Sequence, residues 1–262
     1  RTRLVGSEMC IRDSYNGVFI MSSEEKCNIF NQYFKKQCET IETSSTLPAF
    51  TKKNNLSLRQ IVLSEQSLLK HIRKLNINKA HGHDEISVRM IKIGDKFIVK
   101  PLLIIYKNCI SKGHYPQKWK MANVIPIHKK NDRNLINNYR PVSLLPICGK
   151  LFEKSIFDGL YEYIFSNKFI SDKQSGYRKN DSTVKQLLSI TNEVYKAFDN
   201  NQDVIAVFLD ISRAFDRVWH DGLIFKLKEI GIEGEYINII KGFLADRKQR
   251  VVIDGKKSEW TS

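Results

Sequence analysis

The residue pattern predicts an α+β fold, and three observations carry that expectation. Apolar residues recur at helical spacing in several separate segments, among them 22–39, 64–75, 147–165 and 182–198. An apolar stretch ending in Lys129 and Lys130 returns, after a polar loop, as Tyr139–Leu145, which is the layout of a hairpin. The six apolar residues Val204–Leu209 run without interruption into Asp210, the pattern of a fully buried strand that delivers a carboxylate at its C-terminal end. A carboxylate in that place is a metal ligand or the cap of the next helix, and the strand alone does not choose between them.

Composition narrows the class. A chain of 262 residues with 42% hydrophobic content can bury a large core and is globular. A net charge of +15 suits a polyanionic partner, with nucleic acid ahead of an anionic membrane. Five cysteines are scattered with no CxxC pair, so neither a zinc site nor a disulfide framework is indicated, and a reducing compartment fits. No apolar run reaches membrane-spanning length.

Arg3–Ser14 has no periodicity and resembles the translation of a sequencing adapter joined in frame. Residues 1–14 are therefore expected to be a non-native tail, with the native chain beginning near Tyr15. Ser22 or Ser23 caps a helix over 22–39, in which Ile29, Phe30, Tyr33 and Phe34 form the apolar stripe. Residues 43–55 are polar and read as a linker. Ser64 caps a second helix with Leu68, Leu69, Ile72 and Leu75 on its face. In Asn78–Ser87, Gly82 offers a tight turn and Asp84 or Ser87 starts a helix that continues as a buried segment over 101–109. His81 and His83 flank Gly82, but two histidines without a further ligand read as a solvated loop.

Met121–Lys130 and Tyr139–Leu145 then form a finger-like hairpin from which Lys129, Lys130 and Arg140 project together. Convergent cations of this kind suit a triphosphate or a nucleic-acid backbone, and the segment taken alone also fits a solvated basic hairpin. A long helix over 147–165 has Leu151, Phe152, Ile156, Leu160, Tyr163 and Ile164 as core candidates. The polar loop around Gly176, Tyr177, Arg178 and Lys179 precedes a helix capped by Ser182 or Thr183. A basic turn bearing an aromatic residue suits a nucleic-acid strand, with an ordinary helix-entry loop as the alternative. Beyond Asp216, helices are expected over 222–230 and 234–246. Val251–Ile253 leads into an Asp254-Gly255 hairpin turn that reads as half-built at Ser262, so truncation is expected there.

In this order the motifs are recognisable. The chain resembles the reverse transcriptase of non-LTR (LINE-type, jockey-like) retrotransposons over most of residues 20–262. The resemblance rests on Lys79-Ala-x-Gly82-x-Asp84, Ile125-Pro-Ile-x-Lys129-Lys130, Asn138-Tyr-Arg140-Pro-Val-Ser-Leu-Leu145, Gln174-Ser-Gly176-Tyr-Arg178-Lys179-x-x-Ser182-Thr183 and Phe208-Leu-Asp210-x-x-x-Ala214-Phe215-Asp216-x-Val-x-His220. It implies a right-hand polymerase: a helical extension and linker over 15–76, fingers over 77–200 and the beginning of the palm over 201–262. It also implies a two-metal Mg2+ site. By that resemblance Asp210 is a catalytic metal ligand, with the backbone of Ile211 beside it. Arg140, Lys129 and Lys130 contact the incoming dNTP, and Phe215 gates the sugar. Gly176, Arg178 and Lys179 meet template and primer. Asp216 and His220 are given structural roles. The implied partners are an RNA template, a DNA primer or target DNA and dNTPs, with no membrane, in a ribonucleoprotein of the nucleus or cytoplasm.

The chain departs from the family in one decisive respect. The aromatic-x-Asp-Asp motif that supplies the other carboxylates is absent, and Phe243-Leu-Ala-Asp246 is followed by Arg247. The 262-residue chain alone is therefore expected to be inactive. The alternatives are a non-catalytic nucleic-acid-binding remnant and a group II intron-type reverse transcriptase/maturase.

Overall fold

The computed structural model describes residues 11–12, 19–20, 22–38, 47–52 and 55–262. The expected tail at 1–14 lies outside them except at 11–12, and the linker at 43–55 lies outside them at 43–46 and 53–54. By compactness the chain divides into two units, residues 1–160 with 215–262, and residues 161–214. The secondary structure is mixed, with helices around a small mixed sheet.

A short antiparallel ladder joins β1 (Ile11–Arg12) to β2 (Phe19–Ile20). The helices of the first unit follow: α1 (Ser23–Cys38), α2 (Glu65–Lys74) and α3 (Val88–Ser111). The Ser64 and Ser87 hydroxyls accept hydrogen bonds from the backbone N–H of Ser67 at 3.0 Å and of Met90 at 3.3 Å. Each thereby satisfies a donor that the first helical turn leaves unpaired. α3 bends at Asp95, whose φ of 32° is not helical. Both carboxylate oxygens of Asp95 are held by the Arg73 guanidinium, at 3.0 and 2.8 Å, and that pairing lowers the Asp95 pKa. The 101–109 stretch is helical as expected but not buried all round. Leu102, Leu103, Tyr106 and Cys109 face inward, while Ile104 and Ile105 are exposed.

The main sheet has the order β4–β3–β5–β6 and is built from β3 (Met121–His128), β4 (Tyr139–Leu144), β5 (Lys248–Ile253) and β6 (Lys256–Lys257). β3 pairs antiparallel with β4 and parallel with β5, placing Val124 opposite Val251. Ala122 and Val124 of β3, Tyr139 of β4, and Val251 and Ile253 of β5 pack against Cys27, Phe30 and Phe34 of α1. Both Val124 and Val251 are fully excluded from solvent. Period-two burial along β3 and a three-to-four-residue stripe on α1 meet in this layer.

A second core is aromatic. Tyr106, Tyr115, Trp119 and Phe152 lie with ring centroids 4.9–6.1 Å apart. Phe152 belongs to α4 (Ile147–Ser166), which the sequence delimits closely. The helices α6 (His220–Glu229) and α7 (Gly234–Leu244) also match expectation, with Gly231 at φ 88° between them.

Three expectations need correction. Residues 204–209 form no strand, and Ile205, Phe208 and Leu209 are each about nine-tenths exposed. An apolar run becomes a buried strand only when a neighbouring strand offers a ladder and a layer covers its side chains. Among the described residues no strand pairs with it. Second, the Asp254-Gly255 hairpin closes within the chain. Both turn residues have positive φ, 49° and 79°, as a two-residue type I′ turn requires. β6 pairs with β5, and Gln249 and Thr261 exchange two 2.8 Å backbone bonds. Third, the expected tight turn forms at Gly82, whose carbonyl accepts the Glu85 N–H at 3.3 Å, but the glycine is needed there for space and not for its φ. A Cβ there would stand 2.5 Å from the backbone nitrogen of Pro146 and 2.8 Å from the carbonyl carbon of Leu145.

The second unit holds the end of α4, the loop 167–182, α5 (Thr183–Asp199) and the extended stretch that leads to Asp210. Ser182 caps α5, accepting from the Lys185 N–H at 3.2 Å. The helical stripe of α5 is present, yet no residue of α5 is buried.

Because the Gly82 contact is with backbone, which cannot swing aside, Gly82→Ala is expected to cost about 2 kcal/mol. Gly176→Ala, where nothing lies within 4 Å, is expected to cost less than about 0.5 kcal/mol. Urea unfolding followed by tryptophan fluorescence measures both, and equal effects would refute the assignment of close approach to Gly82.

Candidate nucleic-acid interface

The hairpin presents its cations through strand alternation. In β3, Ala122, Val124 and Pro126 turn to the core, leaving Ile125 and Ile127 on the other face. Arg140 lies opposite Ile127 in the ladder, and the Lys129 N–H donates to the Asn138 carbonyl at 2.8 Å, extending the ladder one step. Lys129 and Arg140 therefore share the outward face as a diagonal cross-strand pair. Lys130 lies beyond the strand end, and all three are exposed. Tyr139, between Asn138 and Arg140, turns inward. It is 4% exposed, stacks edge-on against Phe30 at 5.0 Å, and donates its hydroxyl to the Arg133 carbonyl at 2.8 Å. The Asn138 amide donates to the Asp132 carbonyl at 2.7 Å. The tip is thus fixed from within while its cations face outward, an arrangement that can grip a phosphate-bearing anion.

About the start of α4 lies a polar cluster that sequence reading missed. The Tyr115 hydroxyl donates to Glu153 Oε1 at 2.6 Å. Burial raises the Glu153 carboxyl above its ordinary 4.5, against the pull of Tyr115, Arg247 and Lys150. Burial likewise lowers Lys150, which Glu153 and Asp84 oppose. Asp84, from the Lys79–Asp84 motif, accepts the Ile86 N–H at 3.4 Å. His83 approaches the Met121 carbonyl at 3.2 Å and meets the Trp260 ring edge-on, so it packs into the fold and does not sit in a solvated loop. Only the i, i+3 spacing of Lys150 and Glu153 on α4 hinted at this cluster.

Ser67, His71 and Asp158 bring together the residue types of a hydrolase triad, but both partners meet the same nitrogen. Ser67 Oγ is 3.2 Å and Asp158 Oδ2 2.9 Å from His71 Nε2. A relay needs one partner on each ring nitrogen, so this is a structural contact. A cavity of about 500 Å3 lined by Leu47, Trp219, Leu223 and Phe225 is apolar and contains none of the hairpin cations.

In the second unit, Gly176 and Lys179 are exposed and Arg178 is partly covered. Arg178 Nη1 donates to the Ser171 and Gln174 carbonyls, both at 3.3 Å, and Nη2 lies 3.6 Å from Asp172. Asp210 and Ile211 are exposed. Phe215, in the first unit, is 72% exposed. Among the described residues no group of three or more His, Cys, Asp or Glu side chains could hold a metal ion. One carboxylate and a neighbouring carbonyl do not fit a two-metal centre. No described helix is long and apolar enough to cross a membrane.

Residues 127–261 match the family described as reverse transcriptase (RNA-dependent DNA polymerase). The chain is 33% identical over 242 residues to the RNA-directed DNA polymerase from mobile element jockey of Drosophila melanogaster, covering 92% of this chain and 26% of that protein. It is 30% identical over 239 residues to a probable RNA-directed DNA polymerase from transposon BS of the same organism, covering 88% and 26%. It is 32% identical over 179 residues to the corresponding X-element protein, covering 68% and 19%. The chain therefore spans about a quarter of the length of the first two of these relatives.

The half-buried Glu153 gives a pH test. Its folded value is raised, so the stability it contributes is greatest below 4.5 and falls as pH rises through the folded value. Glu153→Gln removes that loss. Its urea midpoint relative to the parent chain is expected to climb as pH rises above 4.5, and a pH-independent difference would refute the shift.

Proposed function

The chain belongs to the reverse transcriptase (RNA-dependent DNA polymerase) family, of the kind carried by non-LTR retrotransposons, and on that premise we propose that it is the nucleotide- and template-contacting part of an RNA-directed DNA polymerase. The observation that carries this reading is the braced hairpin with Lys129 and Arg140 on one exposed face. In the proposal these side chains grip the triphosphate of the incoming dNTP, with Lys130 reaching from the tip. Phe215 bounds the sugar, where an aromatic ring would crowd a 2′-hydroxyl. Gly176, Arg178 and Lys179 belong to the surface that meets the RNA template and DNA primer.

Reverse transcriptases use divalent metal ions. Asp210 is proposed as one carboxylate of a magnesium-binding set, with the Ile211 carbonyl beside it. The residues present do not complete that set. The lone carboxylate also favours a second reading, in which this chain by itself binds nucleic acid without catalysis.

Primer extension separates the two. The 262-residue chain is expected to bind an RNA-templated DNA primer without extending it. A protein extended to the length of the relatives is expected to extend the primer, and Asp210→Asn in it to abolish extension. Arg140→Ala is expected to raise the KM for dNTP at least about tenfold, the loss of a charge-assisted contact. Extension that survives Asp210→Asn would overturn the assignment.

A further inference from the structure

The loop of the second unit holds its aromatic residue in a backbone conformation that the sequence motif does not foretell. Tyr177 has φ 62°, in the left-handed region, although Gly176 beside it does not. A non-glycine residue in that region costs roughly 1–2 kcal/mol, so the chain spends its strain on an aromatic residue with a glycine adjacent. The tyrosine is 84% exposed.

The residues after it are tied down. Arg178 lies 5.1 Å over the Phe165 ring and donates to two loop carbonyls. The Lys179 N–H donates to the Tyr161 hydroxyl at 2.9 Å, and its ammonium stands 4.2 Å over the Tyr161 ring. Tyr161 and Phe165 stack on each other at 4.3 Å, on the end of α4. Before the tyrosine, the Gln174 amide donates to the Gly176 carbonyl at 3.3 Å, and the Ser175 hydroxyl donates to Gln186 of α5 at 2.6 Å. The loop is therefore bolted at both ends to α4 and α5, and the bolts hold one aromatic ring outward. Lys168, Lys173 and Lys179 of the same loop and Lys185 in the first turn of α5 are exposed.

We propose that Tyr177 is a base-stacking platform for single-stranded nucleic acid, with these lysines following the backbone and Arg178 bracing the loop from below. This rests on the reading of the chain as a template-copying polymerase. A ring carried on a pre-ordered loop backbone leaves little backbone freedom to lose on stacking, and every base offers a π-face, so the contact is independent of sequence. Phosphate contacts alone need lysines but no outward aromatic.

The test uses the 262-residue chain and two fluorescent probes, a short single-stranded RNA and an abasic ribose-phosphate oligomer of equal length. Tyr177→Ala is expected to weaken RNA binding about tenfold and to leave the abasic probe unaffected, while Tyr177→Phe keeps the parent affinity. Tyr177→Gly relieves the backbone strain. It is expected to hold or raise the unfolding midpoint while losing RNA affinity as Tyr177→Ala does, whereas a merely structural tyrosine would lose stability. Equal RNA binding by parent and Tyr177→Ala, or equal losses on both probes, overturns the platform alone. A parent chain that binds neither probe overturns the nucleic-acid reading itself.

Discussion

The parallel pairing of Met121–Val124 with Lys248–Val251 is the constraint on which the first unit depends. It joins residues more than a hundred positions apart, so its loop-closure cost is met only if the ladder is also covered. The cover is α1, whose Phe30 and Phe34 lie on Val124, Tyr139 and Val251. With β3 held from that side, its other edge is free to carry β4, and β4 carries Arg140. Arg140 is exposed because Tyr139 is buried: alternation turns the two side chains to opposite faces, and the Tyr139 ring is locked against Phe30. The cationic face of the hairpin is thus a consequence of packing on the face behind it.

Gly82 ties a second motif to the same strand. The Lys79–Asp84 loop reaches the backbone of Leu145 and Pro146, just after β4 ends, and only a residue without a side chain fits there. Asp84 is thereby brought near Lys150, at the start of α4, where it and Glu153 offset the burial of that ammonium. Two motifs that look independent along the chain are one structural unit, in which the first buttresses the base of the second.

Much of this was legible because it is local. The serine caps at Ser64, Ser87 and Ser182, the limits of α1, α4 and α6, the basic hairpin and the Asp254-Gly255 turn all follow from spacing and from residue chemistry within a few positions. What was not legible depends on partners far away. Val204–Leu209 has the composition of a buried strand, but burial belongs to a strand's neighbours, and composition cannot report whether they are there. For the same reason α5 could be delimited while the solvent exposure of its apolar stripe could not be foreseen. The reason for Gly82 was equally hidden, since a tight turn and a close approach both call for glycine and only the position of Pro146 separates them. Of the site residues, the pairing of Lys129 with Arg140 was readable from the hairpin register. The inward engagement of Arg178 was not, because its bonds go to carbonyls that the loop brings round only once folded.

The second unit shows why exposure alone is a poor guide to function. It presents two chemically distinct kinds of exposed apolar surface. Along α5 and residues 204–211 the exposed side chains are aliphatic and aromatic in succession, among them Leu187, Leu188, Phe198, Phe208 and Leu209. Surfaces of that kind have no groups to satisfy a phosphate, and in proteins they are matched by other apolar surface. The loop before α5 presents instead a single ring among lysines, held by a network of hydrogen bonds and cation–π contacts in a backbone conformation that costs energy to maintain. An unfavourable conformation persists only where its surroundings over-determine it. Here the surroundings are Tyr161, Phe165, Arg178 and Gln186, and they act on the frame of the loop. The strain, and not the exposure, is what distinguishes Tyr177 from the apolar residues around it.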